Sequence, residues 1–184
     1  MAVGIVEKGN SGLFDNEIEF NGKYATMVRF LKEDLGLFST FREAYVTSSI
    51  VGFLNNKKYT EDNQEKVQAA SIFPNELNKR KPDLRFIYRL IMLLKEEKDY
   101  TLEDYKNRTF RDDPEENMDV LKQNMEIFNS YACGGIEYLY DKFQDCNRIE
   151  DTVDTLYEML HKFSMDVGLI AGEDDLPDFE PDFQ

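Results

Sequence analysis

Residues Met118 to Phe143, MDVLKQNMEIFNSYACGGIEYLYDKF, constrain the fold more than any other stretch of the chain. Apolar side chains recur at Met118, Leu121, Met125, Phe128 and Ala132, the alternation of 3- and 4-residue steps that one helix face requires. Gly134-Gly135 follows, a pair that normally ends a helix. Yet the stripe resumes at Ile136, Leu139 and Phe143 in the register it would have kept without interruption. A loop would have released that phase, so the pattern predicts one long helix, straight or kinked, running through both glycines. Two glycines inside a helix cost about 2 kcal/mol relative to alanine. Lacking a β-carbon, Gly134 and Gly135 then serve as a close-packing point, where another backbone or a bulky side chain approaches.

The rest of the chain supplies partners for this helix. Residues 1–20 alternate Gly with short apolar pieces and read as irregular chain or a small strand pair closed by Asn21-Gly22. Lys23 to Leu35 predicts a helix ended by Gly36. Thr40 opens the next, with Glu43 three residues on to complete a capping box. Residues 55–80 are the least patterned, and Ser71-Ile72-Phe73-Pro74 there reads as a short strand before a turn. Lys81-Pro82-Asp83 begins a helix whose body, LRFIYRLIMLL, is apolar almost all round, which predicts a central, buried element. Thr101 with Asp104 caps a short helix, and Asp113-Pro114-Glu115-Glu116 starts the long one.

After Asn147 a last helix carries Ile149, Val153, Leu156, Leu160, Phe163, Val167 and Ile170, a strict heptad seam. Such a seam either docks on the chain's own core or meets a helix of another chain. The expected fold class is mainly α: a compact multi-helix domain over residues 1–172 with a minor N-terminal β element, then an acidic tail over 173–184. That tail, EDDLPDFEPDFQ, repeats Pro-Asp-Phe. Its composition is that of a disordered segment, whereas Leu176, Phe179 and Phe183 are anchors spaced for an extended or one-turn peptide.

Charge divides the chain unevenly. Residues 111–184 hold 20 acids against 5 bases and so supply the whole net charge of −15, while residues 41–110 hold 13 bases against 11 acids. The acidic part would be repelled by nucleic acid, so any DNA contact is expected to be weak or indirect. No apolar run reaches the roughly 18 residues of a membrane span. With no signal-peptide core at the N-terminus either, the expectation is a soluble, cytoplasmic protein.

Few residues suggest chemistry. Cys133, Cys146 and the single His161 make neither a disulfide framework nor a metal site, and no cofactor is expected. No phosphate-binding loop, nucleophile elbow, zinc-protease motif or dinucleotide fingerprint is present, so no catalytic residue is assigned. Asp112-Asp113 and Glu115-Glu116 suit helix capping better than a metal cluster. Lys79, Arg80, Lys81, Arg85 and Arg89 form the one basic cluster. It is either a phosphate-binding site or a solvated rim that pairs with the acidic C-terminal half.

Two blocks, LGLFSTFREAYVTSSIVGF (Leu35 to Phe53) and MEIFNSYACGGIEYLYDKF (Met125 to Phe143), resemble the signature blocks of small helical proteins associated with bacterial Dnd loci. Those loci carry out DNA phosphorothioation and related anti-phage defence. The later block matches that family's Phe-x-x-Tyr-Ala-x-Gly-Gly pattern through Phe128, Tyr131, Ala132, Gly134 and Gly135. The resemblance covers roughly residues 30–145 and implies an accessory role, with no catalytic residues to carry over. The combined expectation is a non-enzymatic accessory subunit that scaffolds or regulates a larger DNA-acting ATPase or nuclease. Its partner-binding residues would be Leu156, Leu160, Phe163, Val167, Phe179 and Phe183. The alternative is an acidic DNA mimic that inhibits a DNA-binding enzyme. A phosphate-acting enzyme is a third reading, with only the basic cluster in its favour.

Overall fold

A three-stranded antiparallel sheet, ordered β1-β2-β3, forms one wall against which the first helices pack. The computed structural model describes residues 4–9, 12–61, 67–95, 100–110, 114–146 and 148–168, with backbone alone for 114–117. Strand β1 (Ile5–Lys8) pairs with β2 (Glu17–Phe20), Ile5 opposite Phe20, and β2 pairs with β3 (Ala70–Ile72), Ile18 opposite Ile72. Ile5, Ile18, Phe20, Ala70 and Ile72 are buried. This is the period-2 burial of a sheet with one face on the core. Asn21-Gly22 does not close the β1–β2 pair as expected. The Asn21 amide donates to the Gly4 carbonyl at 2.7 Å, and Gly22, at φ +55°, turns the chain into a helix.

That helix, α1 (Gly22–Arg29), continues as a wider π-helical turn over Phe30–Asp34. Its last carbonyls are taken by the Leu35 amide on Phe30 and the Leu37 amide on Leu31, both at 2.9 Å, with Gly36 at φ +69°. Helix α2 (Phe41–Leu54) begins where Thr40 Oγ1 accepts from the Glu43 amide at 3.1 Å. The returning Glu43 carboxylate takes the amide of Ser39, one residue earlier than a capping box predicts. After β3 come α3 (Pro74–Asn78), α4 (Lys81–Leu94) and α5 (Leu102–Phe110). Thr101 and Asp104 cap α5 reciprocally: the Thr101 amide donates to the carboxylate at 2.8 Å, and the Asp104 amide donates back to the hydroxyl at 3.2 Å.

Helix α6 (Pro114–Phe143) is a single element of 30 residues that passes through both glycines. Its stripe of Leu121, Met125, Phe128, Ala132, Ile136 and Leu139 is buried. The glycines mark where α2 crosses. A β-carbon on Gly135 would fall on the Ser48 carbonyl and 2.9 Å from the Gly52 nitrogen; one on Gly52 would meet the Tyr131 carbonyl and stand 2.9 Å from the Gly135 nitrogen. Gly134 faces the backbone of Lys57 and Lys58, with the Lys58 nitrogen 2.5 Å from where a β-carbon would sit. Backbone lies against backbone here, closer than any side chain permits. The helix-propensity cost of two glycines is offset by the packing of the residues flanking the crossing.

Around this crossing the core is aromatic. Phe128 meets Phe14, Tyr45 and Tyr88 at ring-centroid distances of 5.9, 5.5 and 5.8 Å, all tilted or edge-on. The Tyr45 hydroxyl, wholly buried, donates to Asn129 Oδ1 at 2.6 Å, so that hydroxyl keeps a partner inside the core. Phe14 has φ +60°, unfavourable for a bulky residue, and is fully buried between Tyr88 and Phe128. Core packing holds it there at a cost of order 1 kcal/mol in backbone strain.

The chain divides into two compact units, Met1–Asp141 and Lys142–Gln184. The second contains the end of α6 and helix α7 (Ile149–Asp166). Residues 169–184, and with them the whole expected tail, lie outside the described residues, as do Arg111, Asp112 and Asp113.

Candidate interaction surfaces

Helix α4 does not have the all-round burial its composition suggested. Leu84, Tyr88, Ile91 and Met92 face inward, but Phe86 is 64% exposed, and Leu90, Leu93 and Leu94 are exposed as well. The reason is positional: one side of α4 meets the core and α5 covers only part of the other. Phe86, Leu90 and Leu93 follow one another at i, i+4 and i+7 beside Phe110 of α5, and with Pro82 they floor an open groove of about 550 Å³. A second row, Lys81, Arg85 and Arg89, runs along its edge at i, i+4 and i+8. The expected basic cluster therefore splits. Lys79 and Arg80 stand in solvent, with Arg80 bound to Asp83 at 3.2 Å, while the other three line the groove. Lys81 pairs with Asp15, and the Arg89 guanidinium lies over the Phe110 ring at 5.6 Å. Arg85 Nε is buried without a hydrogen-bond partner. Within the cluster, Arg80 thus pairs with Asp83 and Lys81 with Asp15.

Helix α5 is held in place from behind the groove. Arg108 Nε donates to Asn124 Oδ1 at 2.8 Å, and the Asn124 amide donates to the Arg108 carbonyl at 3.0 Å, tying α5 to α6. Both residues are buried, so this bond fixes where Phe110 sits. The groove's apolar floor went unassigned in the sequence, although the i, i+4, i+7 spacing of Phe86, Leu90 and Leu93 was the signal for it.

Helix α7 presents a second apolar surface. It starts at Arg148, whose amide donates to the Asp151 carboxylate at 3.2 Å, and it buries none of its residues. Ile149, Val153, Leu156, Leu160, Phe163 and Val167, the described positions of the heptad seam, are between 36% and 75% exposed. Tyr157 adds to this surface and stacks on His161 at 5.8 Å between centroids. Residues 149–166 carry five acids against one lysine, so the stripe is edged with negative charge. Of the expected partner-binding residues, Leu156, Leu160, Phe163 and Val167 share this exposed face, whereas Phe179 and Phe183 lie outside the described residues.

A polar network near the α1–α6 contact is the other concentration of functional groups. Lys23 Nζ donates to Glu137 Oε1 at 3.0 Å and Thr60 Oγ1 at 2.5 Å, Thr60 Oγ1 donates to Glu137 Oε2 at 2.8 Å, and the Thr60 amide donates to the Tyr24 hydroxyl at 3.0 Å. The groups satisfy one another, tying the 57–61 segment to α1 and α6. Cys133, fully buried nearby, has its thiol pushed well above the usual range by burial, so it is held protonated and unreactive. Among the described residues no group of three or more His, Cys, Asp or Glu side chains is placed to hold a metal ion, and no helix is long and apolar enough to cross a membrane.

Comparison with known proteins bears on what these surfaces serve. Neither the curated proteins nor the solved structures yielded a match to the chain. A family model described as DNA sulphur modification system-associated protein 4 matches residues 18–174. That span takes in β2 from Ile18 on, the α2–α6 glycine crossing, the α4–α5 groove and all of α7. The chain belongs to the DNA sulphur modification system-associated protein 4 family.

Proposed function

We propose that this protein is a non-enzymatic, cytoplasmic accessory subunit of a DNA sulphur modification system, scaffolding or regulating a larger DNA-acting ATPase or nuclease. The observation that carries this reading is α7, an amphipathic helix with an exposed apolar seam, in a chain whose family is named for its association with such a system. Leaving six large apolar side chains in water is unfavourable, and burying each is worth roughly 1.5–3 kcal/mol. A facing helix from a partner would recover that energy, and the acidic edges of α7 select a partner with a basic rim.

The test is purification of the tagged protein from its native host under moderate salt, followed by mass spectrometry. The expected result is one DNA-acting subunit retained in fixed ratio, lost when Leu160 and Phe163 are both changed to Asp. A monomer without a stoichiometric partner that blocks DNA-binding enzymes only at low salt would instead establish a DNA mimic.

A further inference from the structure

We propose that the α4–α5 groove of one copy of this chain receives the acidic Pro-Asp-Phe tail, residues 173–184, of a second copy. The groove combines an apolar floor, in which Phe86 is 64% exposed, with the basic row Lys81, Arg85 and Arg89. Such a site fits a peptide carrying both apolar anchors and negative charge. A bare phosphate would use only the edge, and a purely apolar segment only the floor. The chain supplies a matching segment: residues 173–184 contain six acids, no base, and Phe179 and Phe183.

Dimensions agree as well as charge. Lys81 to Arg89 spans eight residues of helix, about 12 Å at 1.5 Å per residue. Bound in extended form at about 3.3 Å per residue, the peptide would set Phe179 and Phe183 about 13 Å apart on one side of its backbone, with the carboxylates of Asp178, Glu180 and Asp182 interleaved with them. Arg85 and Arg89, which line the groove, offer guanidinium donors to those carboxylates. Duplex DNA is the less favoured occupant, because a chain with net charge −15 repels it and the groove floor is apolar.

Because groove and tail are different surfaces, the contact is heterologous. Copies can add head to tail, or two can exchange tails. The inference rests on the tail being an interaction element and on nothing about the larger subunit. Its test uses the purified chain alone, so its failure leaves the co-purification result standing, and the reverse holds too.

Sedimentation velocity of the full chain should show association that rises with concentration and weakens with salt. A fluorescent peptide of residues 173–184 should bind the full chain, and Arg85→Glu with Arg89→Glu should weaken it by about tenfold or more. Should that charge reversal disturb folding, as circular dichroism would show, the double change Phe179→Ala with Phe183→Ala in the tail tests the same contact from the other side. It should leave the chain monomeric. A wild-type chain that stays monomeric overturns the proposal. So does peptide binding that ignores the groove arginines, or a groove that takes duplex DNA and not the peptide.

Discussion

Helices α6 and α7 carry the same kind of pattern and meet opposite ends. Each has apolar residues at alternating 3- and 4-residue steps. On α6 the stripe from Leu121 to Leu139 is buried, and on α7 every described position of the seam is exposed. Periodicity therefore identifies which face of a helix seeks cover without saying what provides it. The difference lies in the residues between the stripe positions. From Tyr131 to Ile136 the α6 sequence YACGGI is buried all round, with small residues where α2 presses its backbone. On α7 the intervening positions are mostly Asp, Glu, Thr and Lys, which keep water on the other faces.

The largest effect should come from one substitution made in both helices. Phe128→Ala removes the ring that Phe14, Tyr45 and Tyr88 surround and should cost about 3–5 kcal/mol in urea unfolding. Phe163→Ala on α7 should change stability by no more than about 0.5 kcal/mol. Comparable losses at the two sites would mean that α7 is covered after all.

Gly135→Ala sharpens the contrast through its sign. If the glycine only weakened the helix, alanine would stabilise by about 1 kcal/mol. Because the new methyl collides with the Ser48 carbonyl, a loss of about 2–3 kcal/mol is expected instead. An increased melting temperature would show that α2 can withdraw without cost.

A smaller effect concerns charge. Glu7, pressed into the first unit and accepting a hydrogen bond from Asn16, has its carboxyl raised to about 6, chiefly by burial. Its folded form holds the proton more tightly than the unfolded chain does. The favourable contribution is therefore complete below about pH 4.5 and is lost as pH rises through about 6. Glu7→Gln should remove that slope and raise stability at pH 7 by up to about 2 kcal/mol. Unfolding curves between pH 4 and pH 8 that run parallel for the two proteins would refute the assignment.

The helical class, the long helix through Gly134-Gly135 and the caps at Thr40 and Thr101 were legible because each is a local event written in adjacent residues. The sheet was only half legible. The short strand near Ser71-Ile72 was legible before the turn at Pro74, but β3 pairs with β2 across some fifty positions, and no local pattern announces that partner. The exposure of α4 escaped for a related reason. LRFIYRLIMLL is apolar on most sides, and whether Phe86 meets water depends on where α5 ends, a fact held in the Arg108–Asn124 bond. The groove needed two helices to exist, and the sequence displayed only one of its walls.

The two thiols have a use beyond structure. Cys133 is sealed within the α6 core, and Cys146, free and partly exposed, lies past the end of that helix. A disulfide reagent added to the native protein would react with Cys146 at once and reach Cys133 only when the core opens. The labelling rate of the second thiol, divided by that of an unhindered cysteine, is the open fraction of the first unit when closing outpaces reaction. The protein thus contains its own clock for core opening, readable without denaturant and without any added probe site.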